Sequence, residues 1–314
     1  MPPDLFSDLL ARSPVILTEG AVIERLRRET GLALDPHVAN AGFVYDAAGR
    51  AALAAIYNEY LDVAARHRLP ILLLTPTWRA GPERVARAGL GDRDVNGDCF
   101  RFLDAIVRVY RGRTTVAIGG LMGPAGDAYD PAGALPAREA AAFHAPQARA
   151  LARAGVGLLI ASTLPAAPEA RGLAEAMAAT GLPYLLSFVV RPDGTLLDGT
   201  PIADAAREID DRVSPPPAGF LVNCVHAAVF RQAFAPAPNR ALAGRRLIGF
   251  QANTSRLSPE ELDGRPGLDA GDPDEFGRQM GRLHSEFGIR LLGGCCGTDA
   301  RHIEAIALHC PAGR

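Results

Sequence analysis

The chain has no lysine: all 33 of its basic side chains are arginine. That absence excludes lysine Schiff-base chemistry and the lysine of a phosphate-binding P-loop. No apolar run approaches the ~18 residues needed to cross a bilayer, so no membrane partner is expected. The start of the chain lacks the charged, apolar and small-residue series of a secretory leader, and a cytoplasmic protein is the expectation. Neither sign of charge dominates. With a formal net charge of -2, there is no basic surface for nucleic acid and no acidic tail implying disorder. A GxGxxG fingerprint after the first strand is missing, which counts against a dinucleotide fold. There is no short internal repeat or low-complexity linker, and nothing sets an oligomeric state.

What is present is an ordinary globular composition, 48% hydrophobic and 22% charged over 314 residues. That length suits a single α/β barrel spanning 1–314. Apolar runs at 14–19, 71–75, 115–118, 157–160, 184–190, 220–222, 247–250 and 289–292 read as eight strands. Helical patterns or long loops separate them. The clearest helix is 50–68, where Leu53, Ile56, Tyr57, Tyr60, Leu61 and Ala64 recur at helical spacing. Others are expected over 23–29, 99–110, 138–154, 168–180, 202–212 and 273–287, with one ending near 234 and a closing helix capped by Asp299. Residues 78–97 read as an excursion over the top of the domain. Continuous apolar strands alternating with helices imply a parallel sheet covered on both faces. Eight such units predict a (β/α)8 TIM barrel, with its chemistry at the C-terminal ends of the strands.

Those ends carry the informative residues. Five cysteines in a reducing compartment point to metal binding or catalysis more than to a disulfide framework. Cys99 and Cys310 fall in helical patterns and read as buried packing residues. Cys224 ends strand six, and Gly293-Gly294-Cys295-Cys296-Gly297-Thr298 follows strand eight. Barrel closure brings these strand ends near one another, so Cys224, Cys295 and Cys296 are predicted to converge as a three-thiolate zinc site with an open fourth position. A Cys295–Cys296 redox pair is the competing reading, although the pair lacks CxxC spacing. Three thiolates leave zinc a weak Lewis acid toward water. A thiol bound at the fourth position would still lose its proton, and the expected reaction is alkyl transfer to sulfur.

At this point the chain resembles the homocysteine S-methyltransferase family. The matching segments are Gly293 to Thr298, Val222-Asn223-Cys224, Thr18-Glu19-Gly20, Gly123-Pro124-Ala125-Gly126, Ser187-Phe188 and Asp198-Gly199-Thr200. The resemblance implies a zinc barrel moving a methyl group from a small sulfonium or betaine-type donor onto homocysteine to give methionine. It makes Cys224, Cys295 and Cys296 the metal ligands and the means of activating the thiol. It implies that Glu19, Gly20, Ser162, Thr163, Asn223 and Gly294 line the substrate, with Glu19 facing its ammonium group. Four positions depart from the family pattern: Glu19 replaces Asp, Ser162 stands where an acid is usual, and Pro76 and Trp78 interrupt the motif after strand two. A different thiol acceptor, or a non-catalytic barrel holding structural zinc, is the alternative these departures raise.

Several residues have more than one reading. Glu19 either faces substrate or caps the following helix. Trp78 either walls a cationic donor or packs under its loop. His226 is a fourth ligand, a proton carrier or an exposed helix-start residue. Asp127 and Tyr129 either close over the site or serve a turn.

Overall fold

In this computed structural model, residues 5–257 and 270–310 are described. Eight parallel strands close into one barrel in sequence order, β1 pairing with both β2 and β8. They are β1 Ile16–Thr18, β2 Ile71–Leu74, β3 Val116–Met122, β4 Leu158–Leu164, β5 Tyr184–Phe188, β6 Gly219–His226, β7 Leu247–Asn253 and β8 Leu291–Gly294. The (β/α)8 expectation is therefore met. Alternate side chains divide between two cores, as the pleat requires. Ile16, Leu72, Leu158, Ile160, Leu185, Leu221 and Leu291 form one cluster inside the barrel. Leu17, Leu73, Leu159, Leu186, Phe220, Phe250 and Leu292 belong to the larger cluster under the helices.

The helices are α1 Leu5–Arg12, α2 Ile23–Glu29, α3 Ala47–His67, α4 Pro82–Arg87, α5 Val95–Arg108, α6 Ala137–Ala154 and α7 Ala167–Ala178. They continue with α8 Ile202–Arg212, α9 Ala227–Ala233, α10 Ala237–Arg240, α11 Pro273–Phe287 and α12 Ala300–His309. All six apolar residues picked out in α3 are buried. Asp299 caps α12 as expected and forms a capping box with His302.

Three features differ from the sequence reading. Helix α1 was not anticipated; Phe6 and Leu9 join the inner cluster, and Arg290, just before β8, donates to the Leu10 carbonyl. This helix thus stoppers the N-terminal end of the barrel. The excursion at 78–97 contains α4, and α5 begins at Val95 because Asp94 accepts from the Gly97 amide and caps it. Finally, β3, β4, β6 and β7 run three or four residues further than their apolar runs. Register shifts between Ala161 and Leu164 and between Asn223 and Val225 let β4 and β6 continue pairing past polar residues. Among the described residues no helix is long and apolar enough to cross a membrane.

Candidate metal and thiol site

The sulfur atoms of Cys224, Cys295 and Cys296 lie within 4.8 Å of one another at the C-terminal mouth of the barrel. Cys224 sits at the β6 bulge with φ +57°, a left-handed conformation that is strained for a residue with a Cβ. Thr163 occupies the matching position in the β4 bulge with φ +65°. Asn223 ties the two bulges together. Its Oδ1 accepts from the Thr163 amide at 3.0 Å and from Ser187 Oγ at 2.7 Å. Its Nδ2 donates to Thr163 Oγ1 at 2.8 Å and lies 3.3 Å from Cys224 Sγ.

The double-cysteine turn is fastened from several sides. Asn253, at the end of β7, accepts from the Cys296 amide at 3.0 Å and donates from Nδ2 to the Cys224 carbonyl at 2.9 Å. It is the residue that joins both cysteine-bearing segments. Glu24 in α2 accepts from the Gly297 amide at 2.6 Å, and Thr298 Oγ1 donates to the Cys295 carbonyl at 2.6 Å. The glycines have a reason other than a tight turn at each position. Of those around the pair, Gly297 has a positive φ, +85°. Gly293 and Gly294 are required by space, because a Cβ would collide with Thr18 and Thr298 respectively.

The Cys224 and Cys295 sulfurs are in direct contact, with Cys296 half-buried beside them. No bond joins Cys295 to Cys296, the pair named in the redox alternative. With metal–sulfur bonds of about 2.3 Å, a tetrahedral site places sulfurs about 3.8 Å apart, so reduced Cys224, Cys295 and Cys296 fit a metal ion with little movement. Without a metal, burial and the Glu24 carboxylate push the Cys296 thiol up to about 12, so it carries its proton at neutral pH. A bound cation reverses that balance.

A cavity of about 280 Å³ opens beside the sulfurs. It is lined by Glu19, Gly20, Ser162, Thr163, Asn223 and Gly294, the six positions expected around substrate, together with Trp78 and Tyr129. Glu19 is buried, and its Oε2 accepts from the Leu74 amide at 2.8 Å; it does not cap α2. Burial raises this carboxyl to about 8, partly offset by the Leu74 hydrogen bond. Trp78 Nε1 donates to the Ser162 carbonyl at 3.3 Å, and the Arg79 guanidinium already sits 4.9 Å from its ring centre. His226 caps α9 by accepting from the Ala228 amide at Nδ1, and it lines a neighbouring cavity. Asp127 serves a turn by accepting from the Tyr129 amide. Cys99 and Cys310 are buried away from the cluster. Sequence reasoning missed the fastening roles of Asn253, Glu24 and Thr298. The one available signal was the polar Asn253 directly after an apolar strand.

Fold and site together define a parallel (β/α)8 barrel with a three-cysteine centre, able to hold a metal ion, at its catalytic end. The family profile described as homocysteine S-methyltransferase matches residues 16–310. The chain belongs to that family of methyltransferase enzymes. Homocysteine S-methyltransferase YbgG of Bacillus subtilis (strain 168) is 26% identical over 166 residues, covering 52% of this chain and 50% of that protein. The match thus spans about half the length of that relative. Among solved structures, the oxidized form of the homocysteine methyltransferase MmuM from Escherichia coli has a TM-score of 0.79 at 22% identity. It covers 97% of this chain and 99% of the other. The metallated form of the same enzyme gives 0.76 at 22% identity with the same coverage. At such identity these likenesses establish the fold.

Proposed function

We propose that the protein is a zinc-dependent S-methyltransferase. It moves a methyl group from a small sulfonium or betaine-type donor to a thiol, with homocysteine, giving methionine, as the acceptor to which family membership points. The observation that carries this reading is the convergence of three cysteine sulfurs on the wall of a substrate-sized cavity at the catalytic end of the barrel. Three soft donors and an open fourth position favour zinc of the catalytic type. When bound, zinc keeps an acceptor thiol ionised at neutral pH.

The chain's own residues supply the rest. The apolar part of the lining, including Leu74, Trp78 and Leu121, sheds water from the reacting atoms. Gly20 lets α3 pack against the strand end beside the cavity, since a Cβ there would meet Tyr60 Oη at 2.8 Å. Asn223, Asn253 and Glu24 hold the sulfurs in place. In the transfer, a lone pair on the acceptor sulfur forms the new S–CH3 bond. The donor's C–S or C–N bond breaks with its electrons, and the thiol proton passes to solvent.

The test is a donor-by-acceptor screen of the reduced, zinc-loaded protein, read by mass spectrometry. Thioether formation that stops on chelation is the expected result. Absence of methylated product from every thiol tried with sulfonium and betaine donors would refute the proposal.

A further inference from the structure

A buried acid and imidazole lie together outside the sulfur cluster and outside the cavity lining. His144 of α6 and Glu169, in the first turn of α7, are 1% and 0% exposed. His144 Nε2 lies 3.0 Å from Glu169 Oε1, and the same oxygen accepts from the Ala125 amide at 2.6 Å. The remaining polar atoms of the pair, His144 Nδ1 and Glu169 Oε2, have no hydrogen-bond partner among the described residues. Burying such a pair carries a desolvation cost that well-packed apolar side chains avoid, so stability alone does not account for it. What the pair does is fix one main-chain amide.

That amide belongs to the segment Gly123 to Gly126, which follows β3. Ala125 is gripped a second time, its carbonyl accepting from Arg84 Nη2 at 2.5 Å. Two residues earlier, Gly123 lies against the Trp78 indole, and a Cβ there would meet Nε1 at 2.3 Å. Nε1 in turn donates to the Ser162 carbonyl, and both Trp78 and Ser162 line the thiol cavity. Gln147, one turn along α6 from His144, donates to the Thr77 carbonyl at 2.8 Å and so holds the residue next to Trp78. Helix α6 therefore fastens both loops behind this part of the wall, one through Gln147 and the other through Glu169.

We propose that Glu169 is a positioning residue for methyl transfer: its hold on Ala125 keeps Gly123 against Trp78 and so sets the shape of the substrate cavity. The inference rests on the thiol-methylation reading and adds to it a residue that lines neither the cavity nor the sulfur cluster.

Trp78 is the only tryptophan of the chain, so its fluorescence reports on this wall without turnover. In reduced, zinc-loaded protein, Glu169→Ala should shift Trp78 emission to the red and raise its acrylamide quenching constant about twofold, because a freed loop admits water and quencher. KM for the donor or for the thiol should rise about tenfold, with zinc content at the parent level. A variant that had only lost folded protein would show a lower apparent kcat at unchanged KM. Glu169→Gln keeps an oxygen acceptor for the Ala125 amide and should return emission and KM to within about twofold of the parent. Gly123→Ala presses on Trp78 while leaving the buried pair intact, and it should raise KM likewise. Unchanged emission and KM in Glu169→Ala overturn the inference and leave the thiol-methylation reading standing. Unchanged KM in Gly123→Ala does the same if Glu169→Ala fails to fold. Absence of thioether from the parent protein overturns the thiol-methylation reading and with it the role in transfer, and the Trp78 signal still decides whether Glu169 sets the wall.

Discussion

Asn253→Ala tests how the sulfur cluster is held. The side chain is 2% exposed and satisfies two main-chain groups, the Cys224 carbonyl at 2.9 Å and the Cys296 amide at 3.0 Å. Truncation strands both. A buried polar group left unpaired costs about 1–3 kcal/mol. Water entering the vacated space recovers part of that, so urea denaturation of the reduced apoprotein should show a loss of about 2–4 kcal/mol. The larger consequence concerns the metal, because Asn253 fixes the separation between Cys224 and Cys296. Losing an outer partner of this kind typically costs 10–100-fold in metal affinity, or about 1.4–2.8 kcal/mol. The assay is chelator competition on reduced protein. Asn253→Asp is a useful companion, since it keeps an acceptor for the Cys296 amide but turns an oxygen toward the Cys224 carbonyl. An Asn253→Ala protein that binds zinc within threefold of the parent would refute this account of the clamp.

Further predictions concern the cavity wall and the barrel floor. Because Glu19 is raised to about 8 in the fold, the native state holds a proton between about pH 4.5 and 8 that the unfolded chain has already released. Its contribution to stability is thus fully present below pH 4.5 and declines as pH rises through 8, by up to about 1.4 kcal/mol per unit. Glu19→Gln should remove that component of the slope in urea midpoints measured from pH 5 to 9; identical slopes would contradict the assignment. Phe6→Ala empties the stopper beneath the barrel and should cost about 3–5 kcal/mol of stability while leaving zinc stoichiometry unchanged. A loss under 1 kcal/mol would show that α1 does not close the core.

The barrel was legible in the sequence because strands buried on both faces become unbroken apolar runs such as Ile71 to Leu74. Strand ends were less legible. Bulges let β4 and β6 carry Ser162, Thr163, Asn223 and Cys224 inside the sheet, where polarity alone signals a loop. Helix α1 escaped notice because it buries only Phe6 and Leu9, too few residues to show a period. The cysteine pair stood out through its composition and its glycines. Glu24 did not, since within an Arg- and Glu-rich helix it looks like part of a solvated face. Only the fold places it against the Gly297 amide. Residues whose role depends on a neighbour about 270 positions away leave no local trace.

The central claim is that Cys224, Cys295 and Cys296 form a zinc centre, and metal analysis of the reduced protein after zinc-supplemented expression tests it most directly. The account predicts close to one equivalent of zinc per chain, falling well below half in Cys296→Ser. Less than half an equivalent in the parent protein, or a zinc content unaffected by Cys296→Ser, would contradict it.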